Sequence, residues 1–146
     1  MNHLLYSVLF MIIGSFALQY YVMSYLMTSS PQDVTSSLGK AYISIIMAFA
    51  MGILEVLMND FMMKTIHWSY YILLVLLLGL FIILYRKQVG ISDNEYLKEM
   101  IEHHSMAILT SEEILQKTHN YKIKHLASNI KNTQKEEIKQ MKKMLT

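Results

Sequence analysis

The sequence predicts an all-α protein in which three transmembrane helices precede a two-helix antiparallel hairpin. Three observations carry that expectation. The 146 residues are 53% hydrophobic and 16% charged, whereas a soluble domain has about a quarter of its residues charged. Only Lys40, Lys64, Asp33, Glu55 and Asp60 carry charge ahead of Arg86, so the charges crowd into the second half. The apolar residues also change pattern near Tyr85, from near-continuous runs to stripes at helical spacing. The expected division is a membrane region over 1–88 and a hairpin over 89–146.

Three apolar runs set the expected spans, at about 4–27, 41–59 and 69–85. Each is about long enough to cross a hydrocarbon core of roughly 30 Å as a helix. The first has no Lys or Arg ahead of it and no clear small-residue cleavage site, so it reads as a span rather than a leader. Thr28-Ser29-Ser30-Pro31-Gln32-Asp33, holding the one proline, ends it. Asn59 to Trp68 forms a second, shorter connector, and Trp68, Tyr70, Tyr71 and Tyr85 bracket the third span at interfacial depth.

The second span holds more than hydrophobicity. At helical spacing Met47, Met51, Glu55, Met58 and Met62 fall within an arc of about 80°. Methionine is a flexible packing residue, and Glu55 lies near enough to the span's end to reach the interface. An ionisable group inside a span is also a functional candidate with a buried cost of several kcal/mol. This face is therefore either packing or a membrane path for a soft metal.

After Arg86-Lys87 and Gly90, the Ser92-Asp93-Asn94-Glu95 box starts a helix. Its apolar stripe is Leu97, Met100, Ile101, Ala107, Ile108 and Leu115, with His104 in the gap. A second helix begins near Thr118 to Asn120. Its stripe is Ile123, Leu126, Ala127, Ile130, Ile138, Met141 and Leu145, and Gln134 and Glu137 fill the gap. A hairpin folded about residue 119 sets His104 opposite Gln134, Met100 opposite Glu137, and Leu97 opposite Met141. An unpartnered buried polar group costs about 1–3 kcal/mol. Two stripes that place their polar exceptions at one level thus share a hydrogen-bond network, a ligand, or both.

The donor types point to a soft metal. Met100, His103 and His104 stand at i, i+3 and i+4 on one helix surface. Thioether and imidazole suit Cu(I), and the chain has 13 Met and no Cys. The run "LKEMIEHHSMAILTSEEIL", with "QKEEIKQM" farther on, resembles the family known as domain of unknown function 305, in its branch with three N-terminal membrane helices. The resemblance implies a ferritin-like helical bundle that binds metal, with copper the metal of some members. Carried over by position, Met100, His103 and His104 match the central motif, and Gln134, Glu137 and Met141 the second. Glu102 departs from the pattern, since the family usually has proline there.

A hairpin of about fifty residues is too small to bury a full core alone, so a homo-oligomer, with a second copy completing a four-helix bundle, is expected. The partners are then membrane lipid, a metal ion and another copy of the chain. No basic stripe interleaved with aromatics points to nucleic acid, and no phosphate-binding loop or His-Glu-x-x-His motif points to an enzyme. A di-iron bundle needs Glu-x-x-His pairs, and neither His103 nor His104 has Glu three residues before it. The functional expectation is a membrane-anchored protein that sequesters, senses or transfers Cu(I). The competing reading is a helical interaction module whose histidines are structural. The expected location is a multi-pass protein of a bacterial inner membrane with an extracytoplasmic tail. Loop charges (Lys40, Arg86 and Lys87 against Lys64) point instead to a cytoplasmic tail; Met/His copper chemistry without Cys favours the outside.

Overall fold

The computed structural model describes residues 2–145, and every element among them is helical. In order these are α1 (Asn2–Ala17), a π-helical turn (Leu18–Val22), α2 (Met23–Met27), a 3₁₀ turn (Pro31–Asp33), α3 (Leu38–Met63), α4 (Trp68–Arg86), α5 (Asp93–Lys117) and α6 (Tyr121–Leu145). Three stretches are long and apolar enough to cross a membrane, namely His3–Met27, Leu38–Met63 and Trp68–Arg86.

The chain divides into two compact units. One takes the chain up to Val22 together with Leu38–Gly90, and the other takes Met23–Ser37 with everything from Ile91 onward. The boundary expected after residue 88 thus falls after Gly90. Gly90 has φ +74°, a left-handed conformation that only glycine adopts without strain. The segment Met23–Ser37, expected as a span end and a plain connector, groups with the hairpin.

In the membrane unit α3 packs against both α1 and α4. Leu4, Val8, Val56 and Leu74 are its buried centre, with Ile12, Phe49 and Ile53 against them. Gly52 lets α1 approach α3 closely, because a Cβ there would lie 3.0 Å from Ile12 Cγ1. Small residues make such contacts where lipid supplies no hydrophobic drive. α3 runs beyond its expected end at 59 because Asp60 stays helical and its carboxylate folds onto the next loop. That carboxylate accepts the His67 backbone N–H at 2.9 Å and meets the His67 ring at Nδ1. Lys64, at φ +52°, then turns the chain.

In the second unit α5 and α6 form the expected antiparallel hairpin. Ser92 caps α5 by accepting the Glu95 N–H at 3.4 Å. The Asn120 side chain caps α6 by accepting the Lys122 N–H at 2.9 Å. Such caps satisfy amides that the first turn leaves without partners. Ile101, Ile108, Ile138 and Met141 are the buried core, with Leu97, Met100 and Leu145 packed on it. α5 runs unbroken through Glu102.

Candidate metal centre

His104 faces α6 from a half-buried position on α5. Its Nδ1 is fully enclosed and makes no hydrogen bond, yet it lies 3.2 Å from Glu137 Oε2. The distance suits a hydrogen bond and the angle does not. The separation is that of a His–carboxylate ion pair. The carboxylate opposite His104 is that of Glu137, one turn beyond the Gln134 expected from a fold about residue 119. Positions three apart share a helix face, so an offset of one turn keeps both stripes in contact. Gln134 itself is half-buried.

Met100 and Met141 both belong to the hydrophobic cluster of this hairpin. Their thioethers are thus held in the same core that His104 and Glu137 border. His103 behaves differently. Consecutive helix positions diverge by about 100°, and its ring is exposed, with Nε2 3.7 Å from Glu99 Oε1. Attraction to the Glu99 carboxylate raises the His103 pKa above its ordinary value, partial burial opposes this, and the charges of Glu99 and Glu102 add to it. At 3.7 Å the contact is long for a hydrogen bond, so charge is the part that counts. Among the described residues no three His, Asp or Glu side chains are grouped to hold an ion.

The membrane face is split. Met47, Met58 and Met62 are exposed on the surface of their unit and Met51 is half-buried. Glu55 is buried and turns to α1, where Ser7 Oγ donates to its carboxylate.

A polar network on the other side of α5 escaped the sequence reading. Glu102 accepts from Ser24 Oγ at 3.0 Å and from Thr35 through its backbone N–H at 2.5 Å and its hydroxyl at 3.3 Å. Thr35 Oγ1 also bonds the Lys98 carbonyl at 2.7 Å. Ser105 is fully buried; it accepts the Ser29 N–H at 3.0 Å and donates to Asp33 Oδ2 at 2.7 Å. Lys142 of α6 donates to Asp33 Oδ1 at 2.5 Å. The partners are 63 to 109 residues apart, beyond any periodic signal, and the one available hint was a lone Asp in a Ser/Thr-rich connector.

The family model for a domain of unknown function (DUF305) matches residues 84–145. The uncharacterized protein L153 of Acanthamoeba polyphaga mimivirus is 32% identical over 139 residues, covering 94% of this chain and 90% of that one. The chain belongs to the DUF305 family. The DUF305 match covers the hairpin and its paired histidines, while the viral relative extends the similarity into the membrane region. No solved structure matches.

Proposed function

We propose that the hairpin of this DUF305 protein binds Cu(I), and that the chain is a membrane-anchored copper-binding protein for sequestration, sensing or transfer rather than an enzyme. The observation that supports this best is the enclosed Nδ1 of His104, 3.2 Å from Glu137 Oε2 without a formed hydrogen bond, in the hairpin that buries Met141 and half-buries Met100. A buried polar atom whose hydrogen bond is not formed is costly, and a bound ion would remove that cost. Glu137 alone admits harder metals, but thioether donors select the soft Cu(I). His104, Glu137, Met100 and Met141 are the proposed holders, with Gln134 beside them. His103, held by Glu99, is available for capture at the surface. Met47, Met51, Met58 and Met62 are a proposed soft-metal face in the membrane.

The hairpin is proposed to pair with a second copy into a ferritin-like four-helix bundle. Ile123, Leu126 and Ile130 are 45%, 60% and 36% exposed along one stripe of α6, which a second hairpin would cover. The helices are also complementary in charge, since α5 is rich in Asp and Glu and α6 in Lys. The tail is proposed to be extracytoplasmic; a fused reporter active only in the cytoplasm would overturn that.

Titration of the detergent-purified protein with Cu(I) against a competing chelator, with Zn(II) as the control metal, tests the reading. Wild type is expected to bind, and His104→Ala and the His103→Ala/His104→Ala double variant to lose the site. Equal behaviour of wild type and double variant would leave the histidines structural and favour an interaction module.

A further inference from the structure

The connector after the first span ties to positions that border the proposed donors. Glu102 immediately precedes His103 and His104, Ser105 immediately follows them, and Lys142 follows Met141. All three bond to the segment from Ser24 to Thr35, which lies outside the stretch matched by the family model. Asp33 is the centre of this arrangement. It is 7% exposed, with one carboxylate oxygen on Ser105 of α5 and the other on Lys142 of α6. Ser105 adjoins His104, and Lys142 lies about a turn and a half beyond Glu137 on α6, so Asp33 ties the two helices together along the stretch that holds the His104–Glu137 pair.

We infer that Asp33 is a positioning residue of the metal site, clamping α5 to α6 so that donors from the two helices meet on one ion. The hairpin is thus braced from outside the donor pair by the connector between the first two candidate spans. This rests on the Cu(I) reading of the hairpin. Asp33 touches no metal; it acts through Ser105 and Lys142, and partners that orient ligands in this way are typically worth about 10–100-fold in metal affinity.

The test is chelator competition with Cu(I) on the full chain in detergent, for wild type, His104→Ala, Asp33→Ala and Asp33→Asn, with helix content followed by circular dichroism. Copper K-edge absorption reports the sulfur ligands directly, and Leu145→Ala, which loosens the hairpin core away from Asp33, is the control for general loosening. The expected result is an affinity about 10–100-fold weaker in Asp33→Ala with reduced copper–sulfur scattering. Asp33→Asn, which keeps one acceptor oxygen, is expected to fall between it and wild type. If Asp33→Ala does not fold, Ser105→Ala and Lys142→Ala each remove one of the two bonds and should each weaken binding several-fold. Wild-type affinity in the Asp33 variants, or in both substitutes, while His104→Ala loses the site would overturn the clamp and leave the copper reading standing. No binding by wild type would sink the copper reading and the inference with it.

Discussion

Placing proline at position 102 should damage this protein. Glu102→Pro removes a carboxylate that accepts from Ser24 at 3.0 Å and from the Thr35 N–H at 2.5 Å. Hydrogen bonds to a charged group are worth about 1.5–3 kcal/mol each, and they do not add fully. Their loss alone, as in Glu102→Ala, is set at about 2–4 kcal/mol for the half-buried site. Proline adds about 3 kcal/mol by deleting an amide inside a helix and by its clash with the Lys98 carbonyl one turn back. The Thr35 hydroxyl bonded to that carbonyl recovers only part of this. The full effect, about 5 kcal/mol, is comparable with the stability of a small domain. Hydrogen–deuterium exchange in detergent is the assay, because it resolves residues 28–37 and 98–106 from the spans. Glu102→Ala should accelerate exchange in both segments, and Glu102→Pro should open them. Wild-type protection of residues 28–37 in the proline variant would refute the account of Glu102.

Four further outcomes follow from contacts described above. Gly52→Ala should loosen the α1–α3 contact by about 1–3 kcal/mol, seen as lower resistance to unfolding in SDS, because its Cβ would meet Ile12 at 3.0 Å. Glu55→Ala should cost about 1 kcal/mol, typical of polar contacts between membrane helices, and Glu55→Gln less, since Gln can still accept from Ser7. Leu126→Lys with Ile130→Lys should shift the detergent-purified protein toward monomer in sedimentation without loss of helix, if α6 is the face covered by a second copy. The His103 pKa, raised by Glu99, lies above its unfolded value near 6.5. The Glu99–His103 contact therefore stabilises fully below about pH 6.5 and fades as pH rises through the folded pKa. With the ring 46% exposed, solvent screening keeps the effect small. Proton NMR titration should show the His103 midpoint fall in Glu99→Gln.

The helices were legible because lipid-crossing runs and capping residues are local signals. Ser92 and Asn120 announce the starts of α5 and α6 within three residues of sequence, and the spans are continuous apolar runs. The α3 end was misplaced because Asp60 looks like a terminator in sequence, whereas its carboxylate is satisfied by His67. That His104 meets a polar position of α6 was also legible, since the polar gaps of the two stripes fall near one level when the chain is folded about residue 119. Which residue meets His104 was not, because a one-turn offset leaves the stripes equally paired. The divergence of His103 follows from helical geometry and was obscured by grouping it with Met100. Asp33, Ser105 and Glu102 were invisible as a set, because contacts across 67 to 78 residues leave no pattern in a single chain.

Hydrogen bonds from the connector at 28–37 to the tail also bear on how the protein is made. With three spans, that connector and the tail emerge on the same side of the bilayer; with one span missed, they are separated by it. Thr35 can then never reach Glu102, nor Asp33 reach Ser105 and Lys142. A chain that fails to insert its third span is then left with its tail undocked from the connector. If all three candidate spans cross the bilayer, the bonds from this connector to the tail can therefore close only once the third has crossed.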